Sequence, residues 1–473
     1  MNILFAASEA VPYAASGGLG DVIGSLPKAI SDKGHSCAVV IPLYRSISAE
    51  MREDMDFVAS ITVDVSWRKQ YCGIFKARRN GIVYYFIDNE YYFDREGMYG
   101  FYDDCERFVF FGRAVLEMLK YIGFMPDIIS CNDWQTALIP VYYQLYYKYQ
   151  QGYDKIKTAF TIHNIEYQGK YGLEVLSELM GIPPYNAGLL EYDGFINMLK
   201  GAIETADRII TVSPQYAKEL LDPWYAHGLD RILVTKQDKM TGILNGIDMN
   251  MYNPETDSAI ACNYSKGDIS GKAICKKALI SELKLSEGDE PLIGIVTRFV
   301  KHKGIDLIRC VFEQMIAKGF KFAVLGSGER IYEEFFIEMA RRYPGKVSVT
   351  TEFNPVLAHK IYAGADMFLM PSMSEPCGLA QMIAMRYGTA PIVRETGGLR
   401  DTVRDNGGVD GNGFTFKTYN ADDMLDAVCR AKADYNNKAR WDELVRRSMT
   451  CDFSWKTSAE AYIDMFEKMS KNV

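Results

Sequence analysis

Short runs of apolar residues, each ended by polar or turn-forming residues, recur along the whole chain. Their length and bounding residues are typical of buried strands in a parallel sheet. Stretches with helical spacing follow several of these runs, as at residues 23–31, 106–121 and 379–387. The pattern therefore predicts an α/β fold. The predicted strands are residues 2–7, 37–42, 127–130, 158–162 and 206–214 in the first half, and 291–297, 320–325, 347–351, 365–370 and 390–393 in the second.

The alternation of strands and helices occurs twice along the chain, which indicates two domains. A turn-rich segment at 243–254 and a polar, charged stretch separate the two series. At 473 residues the chain is also too long for one ordinary core. We expect two facing Rossmann-like domains, residues 1–242 and 243–455, with an active-site cleft between them. A C-terminal helix at about 456–473 is expected to pack back on the first domain.

The stretch from Pro371 to Leu399 carries the strongest candidate chemistry. Two predicted strands end here, and each delivers a loop to the edge of the sheet where ligands of open α/β folds bind. One loop brings the carboxylate of Glu375, and the other brings Gly397 and Gly398, whose backbone N–H groups can approach a phosphate closely. A carboxylate beside a phosphate cradle predicts a site for a phosphorylated sugar.

A glycine-rich turn, GGLGDV at residues 17–22, follows the first predicted strand. Strand, glycine-rich turn and helix open a βαβ unit, but the spacing is not G-x-G-x-x-G. A tight turn without any ligand is therefore an equal alternative. The same test weakens a dinucleotide site near Gly326, because Ile331 stands where a further glycine is needed.

Two cations, Arg298 and Lys303, lie five residues apart at a predicted strand–helix junction. A guanidinium binds a diphosphate through two parallel hydrogen bonds, while an ammonium acts as a point charge. The alternative is an ordinary solvated surface. At the end of another predicted strand, the ring of Phe353 is placed to stack on a base.

Three further candidates lie at strand ends in the first half. Asp133 and Trp134 place a carboxylate next to an indole, a plausible carbohydrate subsite. The alternative is that Asp133 caps the helix that follows it, and the two roles are compatible. His163, followed by further polar residues, ends the predicted strand at 158–162 and is a better site candidate than an average histidine.

Composition removes several classes of function. A net charge of −8 argues against nucleic acid as the main partner. The ten cysteines form no C-x-x-C pair and the five histidines are scattered, so we expect no metal site and a reducing compartment. The N-terminus lacks the pattern of a signal peptide, and no apolar run is long enough to span a bilayer. We expect a cytoplasmic protein that does not bind membranes.

Nine motifs in one order resemble those of the bacterial glycogen synthases and plant starch synthases, which have the GT-B fold. They cover essentially the full length of the chain. The motifs are SEAVPYAASGGLGDV, YFIDNEYYFDR, NDWQTAL, FTIHNIEYQG, ITVSPQYA, LNGIDMNMYNPETD, TRFVKHKGIDL, SEPCGLAQMIAMRYG and TGGLRDTV. The resemblance implies transfer of glucose from a nucleotide sugar to the non-reducing end of an α-1,4-glucan, with retention of configuration and without a cofactor or metal.

The resemblance also implies roles for individual residues. Arg298 and Lys303 match the pair that holds the donor diphosphate, and Glu375 matches the acidic residue at the donor glucose, which is not assumed to be a covalent nucleophile. The first domain would bind the glucan acceptor and the second the nucleotide-sugar donor. The catalytic set is Glu375, Arg298, Lys303 and His163; the donor-binding set is Gly17, Gly18, Asn245, Phe353, Cys377, Gly378, Thr396, Gly397 and Gly398; the acceptor-binding set is Glu9, Asp133 and Trp134.

One position departs from the family pattern. The usual first loop reads K-T-G-G-L, whereas this chain has Ala15 and Ser16 before Gly17. The lysine aimed at the donor diphosphate is therefore absent. ADP-glucose is the expected donor, UDP-glucose remains an alternative, and a weakly active glucan-binding scaffold is the alternative from another class.

Overall fold

The computed structural model describes residues 1–408 and 410–471. The chain divides into two compact units, each with its own sheet. One comprises Met1–Ile243 and the segment that begins at Trp455, and the other comprises Leu244–Ser454. Within the described residues, no helix has the length and apolar character needed to cross a membrane.

The described part of the first unit is built on a nine-stranded sheet. Its order is β12-β11-β7-β6-β1-β2-β5-β4-β3, with β8, β10 and β9 in a small separate sheet. The strands are β1 (Asn2–Ala6), β2 (Ser36–Pro42), β3 (Asp56–Val65), β4 (Arg68–Arg79), β5 (Ile82–Asp88), β6 (Ile128–Asn132), β7 (Lys157–Ile162), β8 (Lys170–Tyr171), β9 (Glu191–Tyr192), β10 (Phe195–Asn197), β11 (Arg208–Thr211) and β12 (Met240–Gly242). Pairing is parallel from β12 to β5 and antiparallel for β4 and β3.

Helices cover this sheet and explain why its central strands are apolar along their whole length. They are α1 (Gly18–Ser31), α2 (Ala49–Glu53), α3 (Glu90–Phe93), α4 (Asp104–Met118), α5 (Leu138–Tyr142), α6 (Val175–Glu178), α7 (Met198–Thr205), α8 (Pro214–Glu219) and α9 (Asp230–Thr235). Short 3₁₀ turns occur at Trp134–Thr136, Pro184–Leu189 and Gln237–Lys239, and a π-helical turn at Tyr143–Tyr147.

The described part of the second unit contains a six-stranded sheet in which every pair is parallel. Its order is β15-β14-β13-β16-β17-β18. The strands are β13 (Leu292–Val296), β14 (Lys321–Leu325), β15 (Val347–Thr350), β16 (Met367–Met370), β17 (Ala390–Arg394) and β18 (Phe414–Phe416). The helices are α10 (Ser270–Glu282), α11 (Ile305–Ala317), α12 (Arg330–Arg342), α13 (Pro355–Gly364), α14 (Ala380–Arg386), α15 (Gly397–Thr402), α16 (Ala421–Tyr435) and α17 (Lys438–Thr450), with a 3₁₀ turn at Lys301–Lys303.

Each main sheet has a reversal of strand order between two neighbouring parallel strands. In the first unit the chain builds outward from β1 through β2, then returns to the other side of β1 with β6. In the second unit β13 leads to β14 and β15, and β16 then pairs on the other side of β13. Loops leaving the carboxyl ends of such neighbouring strands diverge, which opens a crevice for ligands. The two reversals therefore mark where binding residues are expected.

The tail helix α18 (Trp455–Lys471) belongs to the first unit, although the whole second unit precedes it in the chain. Its buried side chains recur at helical spacing. They are Trp455, Ser458, Ala459, Tyr462, Met465, Phe466 and Met469. All except Ser458 join one apolar core with residues of β1 and α1, such as Ile3 and Ile30.

The predicted α/β fold is confirmed, and the strands expected at 2–7 and 390–393 are present within one residue. The strand expected at 365–370 begins two residues later, at Met367. Some helix boundaries were wrong: the helix expected at 106–121 spans Asp104–Met118. The helix expected at 23–31 begins at Gly18, so the glycines at 18 and 20 form its first turn. Close packing accounts for glycines within this helix. A Cβ on Gly20 would lie 2.5 Å from that of Ala15, and one on Gly24 would lie 2.9 Å from the carbonyl oxygen of Val11.

Replacing Phe466 by alanine should destabilise the first unit. Its side chain is fully buried in the core that joins α18 to the sheet, and truncating such a phenylalanine typically costs about 3–5 kcal/mol. Urea denaturation of the variant measures the loss. Lys468→Ala, at an exposed position of the same helix, is the control and should change the unfolding midpoint little. Equal midpoints for the two variants would contradict the packing described.

Candidate active site

The strongest charge pair at a strand reversal lies in the second unit. Lys303 follows β13 and Glu375 follows β16, and the Lys303 ammonium donates to Glu375 Oε2 at 2.6 Å. The Ser372 hydroxyl donates to the same oxygen at 3.0 Å. Glu375 is only 6% exposed. A buried carboxylate is thus neutralised and oriented by one ammonium and one hydroxyl, while its other oxygen has no hydrogen-bond partner among the described residues.

Arg394, at the end of β17, holds the loop that carries Glu375. Its buried guanidinium donates to the carbonyls of Ser372, at 3.0 Å, and Met373. The Met373 N–H in turn donates to the His302 carbonyl at 2.8 Å, which ties the loop to the turn containing Lys303. The sequence analysis missed Arg394. A cation at the end of an otherwise apolar strand was the available signal.

Three glycines allow the same loops to approach each other closely. Gly304 has a φ of +73°, and a Cβ there would overlap the Pro371 carbonyl oxygen. Gly397 has a φ of +43°, and its Cβ would overlap the carbonyl oxygen of Glu375. A Cβ on Gly398 would likewise overlap the Cys377 backbone. These glycines therefore have a packing role independent of any ligand.

The N–H group of Gly398 is already used inside the protein. It donates to the carbonyls of Glu375 at 3.1 Å and Pro376 at 3.2 Å. The Thr396 side chain next to this turn is fully buried. The predicted contact of Gly397 and Gly398 with a donor phosphate stays a prediction.

Asn245 and Cys377 are brought together beside this loop. The Asn245 N–H donates to the Cys377 sulfur, while burial raises the pKa of that thiol to about 12. The thiol is therefore neutral and packs as a small apolar group. The Asn245 side-chain oxygen is buried and has no hydrogen-bond partner among the described residues. Gly378 follows, and its carbonyl accepts from the side chain of Gln381 at 2.8 Å.

Arg298 and Phe353 are the exposed members of the predicted donor set. The Arg298 guanidinium faces solvent, and within residues 1–408 and 410–471 no hydrogen bond or ion pair holds it. Its backbone is fixed because the next residue, Phe299, is fully buried and donates its N–H to the Ser327 carbonyl at 2.8 Å. Phe353 is 91% exposed. Its neighbour Asn354 caps α13 by accepting from the Leu357 N–H at 2.9 Å.

In the first unit, Glu9 follows β1 and lies beneath the glycine-rich loop. Its carboxylate accepts from the Ser16 N–H at 2.6 Å and from the Gly17 N–H at 3.2 Å. It also accepts from the hydroxyls of Ser16 and Tyr99, both at 2.7 Å. Glu9 is 4% exposed. Gly17 precedes the first residue of α1, where no side chain caps the helix.

Asp133 follows β6, and the alternative that its side chain caps the following helix was wrong. Its backbone has φ 56° and ψ 179°, which turns the carboxylate away from the 3₁₀ turn after it. The carboxylate instead accepts from the N–H groups of His163, at 2.8 Å, and Asn164. Burial raises the pKa of Asp133 to about 7, although these two N–H groups lower it in part. Non-glycine residues occupy this backbone region at a cost, and such residues cluster at functional sites.

The His163 ring is held in one orientation and one protonation state. Its Nε2 lies 3.0 Å from the Asn132 side-chain oxygen. The Asn132 amide nitrogen already donates to the carbonyls of Ala6 and Ser130, so its oxygen must accept from the ring. Burial lowers the pKa of His163 to about 3. The ring is thus neutral, with its proton on Nε2 and Nδ1 left as an acceptor.

The Trp134 side chain is packed in the interior and is not exposed to solvent as an open ring face. It is 9% exposed and meets the ring of Phe108 edge to face at 5.0 Å. A Cβ on Gly169 would lie 2.7 Å from the indole, so this glycine makes room for it. Little of the indole is exposed to a sugar, and its predicted role at the acceptor stays a prediction.

The described residues contain no cluster of three or more His, Cys, Asp or Glu side chains suited to a metal ion. All ten cysteines are free thiols, with no disulfide between them.

Two family models match most of the chain. Residues 2–235 match the family model described as starch synthase catalytic domain, and residues 277–448 match glycosyl transferases group 1. The glycogen synthase of Geobacillus thermodenitrificans is 46% identical over 476 residues, which is 100% of this chain and 98% of that protein. The glycogen synthase of Desulforamulus reducens is 46% identical over 100% of this chain and 99% of its own length.

Solved structures place the fold in the same group. The catalytic domain of starch synthase IV from Arabidopsis thaliana, bound to ADP and acarbose, has a TM-score of 0.92 and 35% identity, covering 100% of this chain and 99% of that one. Sucrose-phosphate synthase from Thermosynechococcus elongatus shares the fold at a TM-score of 0.63 and 16% identity over 100% of both chains. The protein is therefore a glycosyltransferase with the GT-B fold. The chain belongs to the glycogen synthase and starch synthase family.

The shifted pKa values of His163 and Asp133 make stability depend on pH in opposite directions. His163 contributes stability above its ordinary pKa of 6.5, which is lost as pH falls toward about 3. Asp133 contributes stability below its ordinary pKa of 3.8, which is lost as pH rises through about 7.

Nitrogen NMR of the histidine rings should show His163 neutral with an unprotonated Nδ1 between about pH 5 and pH 8, where an ordinary histidine titrates. The signal is assigned by its loss in His163→Asn, which leaves the other four of the five histidines. An imidazolium spectrum, or a proton on Nδ1, would contradict the assigned hydrogen bond to Asn132.

Proposed function

We propose that the protein transfers glucose from ADP-glucose to the non-reducing end of an α-1,4-glucan, with retention of configuration. One observation carries the proposal: the paired Lys303 and Glu375, with the exposed Arg298 on the same connection after β13, at the reversal point of the second sheet. In a family of glycogen and starch synthases, two cations and a carboxylate at this place suit a sugar linked to a nucleoside diphosphate. The cytoplasmic location expected from the sequence stays a prediction.

Arg298 and Lys303 would bind the donor diphosphate and stabilise the nucleotide as it departs. Cleavage of the glucosyl–phosphate bond leaves negative charge on the diphosphate, and positioned cations lower the free energy of that transition state. Arg298 suits this role because its guanidinium is exposed and uncommitted within the described residues. Lys303 is already oriented by Glu375 at 2.6 Å, so little reorganisation is needed.

Glu375 would orient the glucose and favour positive charge at its anomeric carbon. One carboxylate oxygen is held by Lys303 and Ser372, so the other is available to a sugar hydroxyl. A carboxylate in a site of low exposure acts more strongly on a developing charge than one in water. Retention does not require it to attack the sugar, and we assign Glu375 an orienting and electrostatic role.

His163 would contribute an acceptor to the donor glucose. The neutral ring donates from Nε2 to Asn132, which leaves Nδ1 to receive a hydroxyl proton from the sugar. Because the ring does not become an imidazolium near neutral pH, it adds no charge beside the departing diphosphate. Its part is orientation of the substrate.

ADP-glucose is favoured over UDP-glucose because the starch synthase IV structure, at 35% identity, holds ADP. Phe353 does not decide between them, since stacking on an exposed ring tolerates either base. Ala15 removes the lysine that usually faces the diphosphate, and this substitution is the specific reason to keep the glucan-binding scaffold as a second candidate.

Nucleotide release from ADP-glucose and from UDP-glucose, with glycogen as acceptor, tests the proposal. We expect faster release of ADP. Faster release of UDP would keep the reaction and replace the donor. Binding of glycogen without release of either nucleotide would establish the scaffold instead.

Glu375→Gln and Arg298→Ala should each lower kcat by about 100- to 1,000-fold, as expected when a group that stabilises the transition state is lost. Both variants should fold, because Gln keeps the shape of Glu and an oxygen that accepts from Lys303, and because Arg298 is exposed. Steady-state kinetics measures the effect. Glu338→Gln and Arg341→Ala, at exposed positions on α12, make the same changes of charge elsewhere in the unit. Normal turnover in either site variant would overturn its assignment.

A further inference from the structure

We propose that Glu9 and Asp133 hold the backbone of two donor-facing loops in place and do not bind the glucan. This inference rests on the proposed function, because it takes the donor glucosyl group and diphosphate as the ligands that Gly17 and His163 face. The resemblance assigned both carboxylates to the acceptor. The hydrogen bonds of the first unit support a structural role for both carboxylates instead.

The carboxylate of Glu9 has no capacity left for a sugar. Oε2 accepts from the backbone N–H groups of Ser16 and Gly17, and Oε1 accepts from the hydroxyls of Ser16 and Tyr99. An ionised carboxylate offers about four acceptor positions, and all four partners here are donors. A glucan hydroxyl would have to displace one of them from a side chain that is almost fully buried.

The loop that Glu9 holds is open on its other side. A Cβ on Gly17 would meet no atom within 4 Å. Its φ of −169° is extended backbone that any residue adopts. Neither packing nor conformation therefore requires a glycine here. A phosphate can approach the backbone closely only where no side chain blocks it. The exposed side of this loop therefore suits a phosphate ligand.

Asp133 acts on His163 in the same way. Its carboxylate accepts from the N–H groups of His163 and Asn164, and its own N–H donates to the Thr161 carbonyl at 3.0 Å. These hydrogen bonds fix the backbone at the end of β7, where His163 follows the strand. The unusual φ of 56° is the conformation that turns the carboxylate toward these groups.

Tyr99 is the further positioning residue that this network identifies. Its hydroxyl lies 2.7 Å from both Glu9 Oε1 and the Ser8 hydroxyl. It therefore helps to fix the carboxylate through the same oxygen that accepts from the Ser16 hydroxyl. Without Glu9, the Ser16 and Gly17 N–H groups lose their acceptor and the loop loses its defined position.

The test compares the effect of a substitution on donor binding with its effect on acceptor binding. Glu9→Ala should raise both the donor KM and the dissociation constant of ADP alone by about tenfold, because two or more hydrogen bonds that order the loop are lost. The glycogen KM should stay within about twofold, a change too small to reflect a lost hydrogen bond. Steady-state kinetics and calorimetry with ADP provide these values. Glu50→Gln, at an exposed position of the same unit, is the charge-matched control.

Milder variants keep the test informative if Glu9→Ala does not fold. Glu9→Gln retains one oxygen for the two backbone N–H groups, and its amide can meet the rotatable hydroxyls, so its donor KM should fall between those of wild type and Glu9→Ala. Tyr99→Phe removes one of the four hydrogen bonds and should give a smaller rise. Asp133→Asn should also raise the donor KM and leave the glycogen KM unchanged.

Hydrogen exchange gives a readout that does not depend on activity. The amides of Ser16 and Gly17 should exchange faster in Glu9→Ala than in wild type. A raised glycogen KM with unchanged ADP affinity, or unchanged exchange at both amides, would overturn the inference. Failure of the wild-type protein to release nucleotide from either donor would instead overturn the proposed function, and the exchange experiment would still decide the role of Glu9.

Discussion

The ion pair between Lys303 and Glu375 is the interaction on which the candidate site depends. It joins the loops that leave two adjacent parallel strands, β13 and β16, at a separation of 2.6 Å. Both groups are largely withdrawn from water, so removing either would leave a charge that is costly to bury. The pair therefore orders both loops, and it presents one carboxylate oxygen and an ammonium to the same crevice. The parallel pairing of β13 and β16, with their diverging connections, is what makes that geometry possible.

In each unit, buried polar side chains set the positions of backbone segments. Arg394 holds the Glu375 loop through its carbonyl oxygens, while Glu9 and Asp133 hold the loops of the first unit through N–H groups. Long-range hydrogen bonds of this kind stabilise loops that have no regular structure of their own. They also cost little reorganisation when substrate binds, which is the condition for strong electrostatic stabilisation of a transition state.

The pattern of apolar runs predicted the α/β fold and most strand positions because buried parallel strands leave a signal in local sequence. It also placed Glu375, Lys303 and Arg298 at strand ends. The contacts between loops could not be predicted from the sequence. Gly397 and Gly398 looked like a phosphate cradle, since a sequence shows the missing side chain but not the backbone of Glu375 and Cys377 that fills the space. Asp133 looked like a cap because its positive φ leaves no local signature, and the partners of Arg394 lie about twenty residues away in the chain.

Ala15 leaves the positive charge at the donor diphosphate to Arg298 and Lys303 in this account. A crystal structure of the complex with ADP and a maltooligosaccharide would show which cations bind the diphosphate. We expect diphosphate oxygens within hydrogen-bond distance of both the Arg298 guanidinium and the Lys303 ammonium. A diphosphate that contacts neither cation, with the Lys303–Glu375 pair undisturbed and remote from the ligand, would contradict this expectation.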